Sequence, residues 1–319
     1  MKILITGCAG FIGFNFSNFL LQSNKYKIIG IDNLNDYYDV SLKKDRLKIL
    51  KKFKNFKFKK VDINNTNSIE AIFKKNKFDF VFNLAAQAGV RYSIYHPRKY
   101  IESNIVGYFN IIESCKKFRI KRLFYASSSS VYGENTNFPL RETEKIYPKN
   151  MYGLSKKINE EISNIYNKYY NLKVTGLRFF TVYGEWGRPD MMMLKYIDSY
   201  FNKKVFELYN YGNHARDFTY IGDVVKILKI LMKNHKKLPN NDIFNICSSK
   251  PINLSKIILF MKKNKINPKI KKIALQQADI LKTHGSNSKL LKYTNYKKFS
   301  DWRESLKKTI YWYKKYSKK

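Results

Sequence analysis

An α/β fold built on a doubly wound parallel sheet is predicted by three features of this 319-residue sequence. Short apolar runs recur along the first half, each closed by polar or small residues and separated from the next by a helical pattern. The first run, Ile3-Leu4-Ile5, passes at once into Gly7, Gly10 and Gly13, spaced G-x-x-G-x-x-G, and then into an apolar segment from Phe14 to Leu21. Strand, glycine turn and helix in that order open a dinucleotide-binding unit of Rossmann type. Beyond about residue 175 the alternation gives way to shorter, scattered strands. This predicts a first domain over 1–175 and a smaller C-terminal α/β substrate lobe over 176–319, with some later elements returning to the first domain.

Composition narrows the class. A hydrophobic content of 44% suits a globular core, and no apolar run is long enough for a membrane span. Strand-like residues begin at Lys2, so no cleaved leader is expected and the predicted location is cytoplasmic. Cys8, Cys115 and Cys247 lie far apart, which predicts reduced thiols rather than a disulfide framework. His96, His214, His235 and His284 are scattered, so no metal site is expected. The formal charge of +38 comes almost wholly from lysine spread along the chain. Arginine, the better reader of phosphates and bases, occurs ten times. Coding bias toward Lys, Asn, Ile and Tyr accounts for this pattern, and no specific nucleic-acid partner is predicted. The positive field would still steer an anionic substrate.

Along the chain the elements acquire roles. Gly7 allows a tight turn, Gly10 lets backbone approach a pyrophosphate, and Gly13 lets the helix pack close to the strand. The helix start offers free N–H groups to phosphate. Tyr26–Ile31 reads as a second strand ending at Asp32, 19 residues after Gly13. A carboxylate there accepts both ribose hydroxyls and repels a 2′-phosphate, which favours NAD over NADP. Asn33–Lys51 reads as a polar, Tyr-rich loop and then a helix. Phe56–Val61 alternates as a strand and ends at Asp62, beside the expected adenine. A short helix over Ser68–Lys75 precedes a buried strand over Phe78–Leu84. The run Ala85-Ala86-Gln87-Ala88-Gly89 follows, whose small side chains leave room for a ligand crossing the sheet edge. Tyr100–Lys117 reads as a helix with Ile101, Ile105, Tyr108, Ile112 and Cys115 on one inward stripe. The next strand, Arg122–Ala126, runs into Ser127-Ser128-Ser129-Ser130. Later strands are expected at Val174–Phe180, Val205–Leu208, Phe218–Ile221 and Ile243–Ile246.

The chemistry concentrates at Tyr152-Gly-Leu-Ser-Lys156, at the head of a helix whose apolar stripe reads Leu154, Ile158, Ile162, Ile165 and Tyr169. Phenol and ammonium one turn apart share a face. A free tyrosine, with a pKa near 10, is a poor base at neutral pH. A neighbouring ammonium favours the phenolate, which can then take a proton from a sugar hydroxyl as hydride leaves the carbon.

With these segments in view, the chain resembles the extended short-chain dehydrogenase/reductase superfamily and, within it, the NAD-dependent nucleotide-sugar 4-epimerases, most of all the UDP-glucuronate 4-epimerases. The likeness runs through ITGCAGFIG, GIDNLNDYYD, NLAAQAGVRYS, YASSSSVYG, YGLSKK, LRFFTVYGEWGRPDM and YNYGNHARDFTYIGD. It implies NAD contacts at Gly7, Gly10, Phe11, Ile12, Gly13, Asp32, Asn33, Asp62, Ile63, Leu84, Ala85, Ala86, Asn104, Tyr152 and Lys156. It places the catalytic hydroxyl at Ser128, beside Tyr152 and Lys156. It also implies a 4-keto sugar that turns over within the site and takes hydride back from the same cofactor.

Related 4,6-dehydratases carry an Asp-Glu pair after their Ser or Thr. Here Ser129 and Ser130 stand there, which disfavours dehydration. A uronic acid oxidised at C4 is a β-keto acid, so an epimerase must hold its carboxylate; Ser127, Ser129, Ser130 and Thr181 are the expected neutral donors. Arg188 and Arg216 resemble positions that bind the nucleotide and its diphosphate, Asp279 one that faces the uridine ribose, and Arg91 is a further substrate candidate. The resemblance also implies a homodimer through the helices over 100–117 and 152–170. The chain departs from the family pattern at Asn83 (usually His), Glu185 (usually Pro), Gly222 (commonly Asp) and Met191–Met193. The first function predicted is interconversion of UDP-glucuronate and UDP-galacturonate. The alternatives are a 4-epimerase of UDP-glucose or UDP-N-acetylglucosamine, a UDP-glucuronate decarboxylase and, in a different class, a non-catalytic NAD- or RNA-binding protein.

Overall fold

The computed structural model describes residues 1–275 and 280–318. Its first half alternates as expected: β1 (Lys2–Thr6), α1 (Phe11–Leu21), β2 (Lys27–Asp32), α2 (Val40–Leu50), β3 (Phe56–Lys60), α3 (Thr66–Lys74) and β4 (Phe80–Asn83). Two single-turn helices, α4 (Tyr92–Tyr95) and α5 (Pro97–Tyr100), lead through a π-helical turn, Ile101–Val106, into α6 (Gly107–Lys117). Then come β5 (Arg122–Ser128), α7 (Met151–Tyr170), β6 (Val174–Phe179), β7 (Thr181–Tyr183), α8 (Met192–Phe201) and β8 (Phe206–Tyr209). The chain continues with β9 (Ala215–Tyr220), α9 (Ile221–Lys233), β10 (Asn241–Ile246), β11 (Pro251–Asn253), α10 (Leu254–Lys263), β12 (Ile270–Ile273), α11 (Ser288–Thr294) and α12 (Trp302–Tyr316).

Seven strands form one sheet in the order β3-β2-β1-β4-β5-β6-β10, every pair parallel. This is the doubly wound order with one strand added at the far edge. The winding reverses between β1 and β4, and the carboxyl ends of those two strands part to form a crevice. Thr6 and Asn83, paired in register, guard its floor: the Thr6 hydroxyl donates to Asn83 Oδ1 at 2.6 Å and accepts from the Ala85 N–H at 3.0 Å. Asn83 thus works as a fully buried acceptor where the family pattern has a histidine.

Strand alternation divides the core. Ile3 and Ile5 face α1 and α9 with Phe82, Phe124, Leu177 and Phe244, whereas Leu4 faces the opposite layer with Val81, Leu123, Tyr108 and Ile112. Residue 175 falls inside β6, and β10 and α9, far beyond it, complete the first sheet and its core. α11 also packs on β10 and α9, with Leu290 in the first core; the second lobe is built on a three-stranded sheet, β11-β9-β7, and the parallel pair β12-β8, over a core that includes Tyr196, Ile197, Phe206, Ile257 and Leu306. Among the described residues, no helix is long and apolar enough to cross a membrane.

Two helix faces depart from expectation. The π turn adds a residue to one turn and rotates what precedes it, so Ile101 is 44% exposed while Tyr100 is buried. Ile105 is half-buried; Tyr108, Ile112 and Cys115 face inward as predicted. On α7 the correction is larger. Leu154, Ile165 and Tyr169 are exposed, and the buried face is Gly153, Ser155, Lys156, Asn159, Glu160 and Ser163. Hydrogen bonds make that polar face tolerable. Glu160 takes a bidentate fork from Arg178 (2.9 and 2.8 Å) and a third bond from Ser127 Oγ at 2.6 Å. Ser163 meets the Tyr108 hydroxyl at 2.6 Å.

Removing one member of the Arg178–Glu160 pair leaves a buried charge unmatched. Glu160→Leu is expected to cost about 3–5 kcal/mol in urea unfolding, and adding Arg178→Met should recover most of it. A loss within error for the single variant would show that the pair does not hold α7.

Candidate active site

A cavity of about 700 Å³ runs along the crevice, from Asp32 and Asp62 past the glycine turn to Tyr152, then out to β8 and Arg216 in the second lobe. Its size suits a small-molecule site, and walls from both lobes make it one continuous groove.

The glycine turn forms its floor. Gly7 has φ +67°, and a Cβ there would lie 2.8 Å from the Ala85 backbone. At Gly13 a Cβ would stand 2.1 Å from the Gly7 carbonyl oxygen, so only glycine lets α1 sit this close. The helix begins at Phe11, three residues before the sequence suggested, and Gly10 caps it without a side chain. Its first N–H groups therefore open on the cavity, which Gly7, Gly10, Phe11, Ile12 and Gly13 line. This cradle fits a dinucleotide pyrophosphate: backbone donors at a helix start face the groove, and the glycines that form it have no room for a side chain against the neighbouring backbone.

Asp32 closes the adenosine end. Its carboxylate accepts from Ala9 N at 3.1 Å and Leu34 N at 2.8 Å, one bond per oxygen, which leaves acceptor capacity on both for a ribose diol. Burial pushes this carboxyl above its ordinary value, opposed first by Lys43 and then by those backbone donors. Lys43 itself lines the cavity, its ammonium held by Asn35. Beside it the Asn33 amide donates to Asp62 at 2.8 Å, and Asn33, Asp62 and Ile63 border the groove. The opposite wall is Leu84, Ala85 and Ala86.

Asn104 sits behind the wall. It is buried and does not line the cavity. Its amide clamps Gln87 through both backbone atoms (2.7 and 3.0 Å) and donates to Ser155 Oγ at 2.9 Å; Ser155 in turn donates to the Tyr152 carbonyl at 2.8 Å. The π turn aims Asn104 between the wall and α7, so it positions both. Tyr100, one residue before that turn, adds a second clamp by donating to Ala88 O and Gly89 O.

At the centre stand Ser128, Tyr152 and Lys156, all lining the groove. Ser128 ends β5, and its hydroxyl donates to Ser130 Oγ at 3.1 Å while facing the Tyr152 phenol closely enough to favour its charged form. Asn150 caps α7 by accepting from Gly153 N at 2.9 Å, and a Cβ on Gly153 would lie 2.6 Å from Ser130 O. Bare backbone at that point seats the helix start against the serine turn. The Lys156 ammonium lies 5.9 Å from the centre of the Tyr152 ring. Burial raises the Tyr152 phenol above its ordinary value, opposed first by Ser128 and then by Arg188. Burial also pulls Lys156 down to about 8. Both charged forms are desolvated, and each gains by an additional partner in the groove.

The other substrate candidates divide. Ser129, Ser130 and Thr181 border the cavity near Ser128. Ser127 borders it too, but its hydroxyl is spent on Glu160 beneath the sheet, because successive residues of a strand point to opposite faces; this corrects its expected role as a donor to substrate. Arg91 lies over the Tyr209 ring at 3.7 Å, spanning the groove from one lobe to the other. Arg216 lines the far end and donates to Leu281 O at 3.0 Å. Arg188 reaches the cavity with its guanidinium forked onto Asp190. Asp279 lies outside the described residues.

A sequence model of the NAD-dependent epimerase/dehydratase family matches residues 3–247. The chain belongs to that family. It is 41% identical to the Staphylococcus aureus protein CapI over the full length of both. With the UDP-glucuronate 4-epimerase of Thermodesulfobacterium geofontis it shares 38% identity, covering 98% of this chain and 95% of that one. Among solved structures, the UDP-glucuronic acid 4-epimerase from Bacillus cereus, in complex with UDP-glucuronic acid and NAD, superposes with a TM-score of 0.92 at 28% identity, covering 99% of this chain and 100% of that one. Like its family, this epimerase is NAD-dependent, and the cradle described above has the shape and donors for that cofactor.

Sequence reasoning missed Lys43, Tyr37, Tyr92, Asp190 and Lys195, all lining the groove. The Tyr-rich run after Asp32 was the available signal for Tyr37, since aromatic residues following a ribose-binding acid have no place in a plain solvated loop.

Two outcomes test this geometry. Gly10→Val should give protein that emerges without NAD and melts lower, because its Cβ already stands 3.1 Å from Gly7 O. For Lys156 the sign follows from burial. The folded value of about 8 lies below the unfolded value of about 10.4. The stability this depression confers is present above the unfolded value and lost as pH falls through the folded one. In cofactor-free protein, Lys156→Met is therefore expected to add about 1–3 kcal/mol at pH 7 and nothing near pH 10.5. Equal stability of parent and variant at pH 7 would mean that the ammonium is already solvated.

Proposed function

We propose that this UDP-sugar 4-epimerase interconverts UDP-glucuronate and UDP-galacturonate. The observation that carries the reading is the placement of Ser129, Ser130 and Thr181, three neutral donors, in the same groove as Ser128, Tyr152 and Lys156. Neutral hydroxyls can hold a carboxylate at the sugar's C6 without the acid needed to dehydrate it. When bound, NAD supplies a reversible hydride acceptor for C4. Tyr152 takes the proton of the C4 hydroxyl, and the neighbouring Ser128 hydroxyl, which favours the charged form of that phenol, steadies it. Lys156, whose ammonium is disfavoured by burial in the empty groove, supplies positive charge beside that phenolate. The resulting β-keto acid loses CO2 when its carboxylate swings out of plane with the ketone; bonds from Ser129, Ser130 and Thr181 oppose that swing. Rotation of the keto sugar then presents its other face for hydride return.

The relatives that share the full length, and the solved structure holding UDP-glucuronic acid and NAD, support this substrate. Ile101, Val106 and Phe109 on the π turn and α6, with Leu154, Ile165 and Tyr169 on α7, leave apolar side chains exposed on two helices that pack against each other. The reading includes a homodimer that covers them. Three buried, unpaired cysteines suit a reducing compartment, and the cytoplasm is the proposed location.

Incubation with UDP-glucuronate, UDP-glucose and UDP-N-acetylglucosamine, followed by separation of products, tests the choice. UDP-galacturonate is expected to form, with little of the neutral epimers and no pentose. Tyr152→Phe should retain NAD while losing turnover by about 10²- to 10⁴-fold. UDP-galactose formed readily, with no UDP-galacturonate, would overturn the substrate; a pentose product would show that the carboxylate is not held.

A further inference from the structure

Arg46, in α2, takes no part in the chemistry above, yet it is fully buried and touches both halves of the site. Its Nη1 donates to the Ala9 carbonyl inside the glycine turn at 2.8 Å and to the Tyr38 hydroxyl at 2.7 Å. Its Nη2 donates to the carbonyls of Trp186 at 2.5 Å and Gly187 at 3.0 Å, the two residues before Arg188. All four acceptors are neutral. A buried cation without a carboxylate fork is costly, and an apolar side chain would fill α2 at less expense. What the guanidinium alone supplies is a rigid planar fork that satisfies carbonyls of two separate segments at once. Without it those oxygens would lie buried and unmet.

Tyr37 makes a second tie to the 186–190 segment, this one from the loop before α2. Its hydroxyl donates to Asp190 Oδ2 at 3.0 Å, on the carboxylate that Arg188 forks. Gly89, at φ +102°, makes room for it: a Cβ there would lie 2.3 Å from the Tyr37 hydroxyl oxygen. The loop from Asn33 to Asp39 therefore reaches the adenosine-side acids at one end, through Asn33 and Asp62, and the substrate-side arginine at the other.

We infer that Arg46 and Tyr37 are positioning residues that make the cofactor and the uridine diphosphate of the substrate bind cooperatively, by joining the glycine turn and the 33–39 loop to the 186–190 segment as one unit. The inference rests on the proposed function for the nature of the second ligand. Whichever ligand binds first holds the shared unit in place, so the second meets a site already formed, and the coupling is reciprocal.

The test follows loss of NAD from the purified holoprotein after addition of excess fluorescent etheno-NAD, with and without UDP. In the parent protein UDP should slow NAD loss by about fivefold or more. Arg46→Lys, which keeps the charge but not the fork, should cut that factor below about twofold. Tyr37→Phe, which keeps the ring and removes only the hydroxyl, should give an intermediate factor. If Arg46→Lys fails to melt cooperatively, Tyr37→Phe decides. NAD and UDP binding without mutual effect, or with the parent's effect intact in the cooperatively folded variants, would overturn the inference. Protein that binds neither ligand would instead count against the proposed function.

Discussion

The near-contact between the turn after β1 and the end of β4 sets the geometry of everything else. Gly7 lies so close to Ala85 that a single methyl group would collide with backbone, and Thr6 bonds across to both Asn83 and Ala85. This approach occurs where the sheet changes winding direction, the one place where two neighbouring strand ends diverge and leave a crevice above them. The pyrophosphate cradle, the small-residue wall and the catalytic serine at the end of the next strand all take their positions from it. A larger residue at Gly7 or Gly13 would widen this joint and misplace groups on three strands together.

The catalytic helix is held by polarity turned inward. Lys156 and Glu160 share the buried face of α7, one for chemistry and one for support. Glu160 gathers Arg178 and Ser127, and Arg178 lies over the Tyr132 ring at 4.8 Å. The helix start is therefore bolted to the serine turn it must face. A purely apolar interface would be cheaper in desolvation, but it would specify the rotation of α7 less sharply than directional bonds do. The burial that raises Tyr152 and lowers Lys156 belongs to the same design. Both groups are poorly stabilised alone, which suits residues whose charges are useful when substrate and cofactor fill the groove.

Two departures from the family pattern meet at one tyrosine. The Tyr220 hydroxyl donates to both oxygens of Glu185, at 3.0 and 2.9 Å, where the family usually has proline. Its ring lies over Gly222, at which a Cβ would come within 2.5 Å of a ring carbon, where an aspartate is common. The glycine makes space for the ring and the glutamate receives its hydroxyl, so neither change disturbs the Ser128, Tyr152 and Lys156 set.

By itself the sequence determined the winding of the first sheet, the glycine turn, and the placing of Asp32 and of the tyrosine–lysine pair along the groove, because each is written in local spacing. Glycines three apart after an apolar run, a carboxylate at a strand end and side chains four apart on a helix have the same consequences wherever they occur. The family resemblance supplied Ser128 on the same terms, through a contiguous segment. Tertiary structure decided which face of α7 is buried, since Leu154, Ile165 and Tyr169 look like a core stripe until Glu160 and Arg178 are seen to pair. It committed the Ser127 hydroxyl to Glu160 and set Asn104 between Gln87 and Ser155, because strand alternation and a π turn set those directions. It alone brought Arg46 to the carbonyls of Trp186 and Gly187, some 140 residues away. Contacts across such separations depend on how the two lobes pack, and no local pattern encodes that.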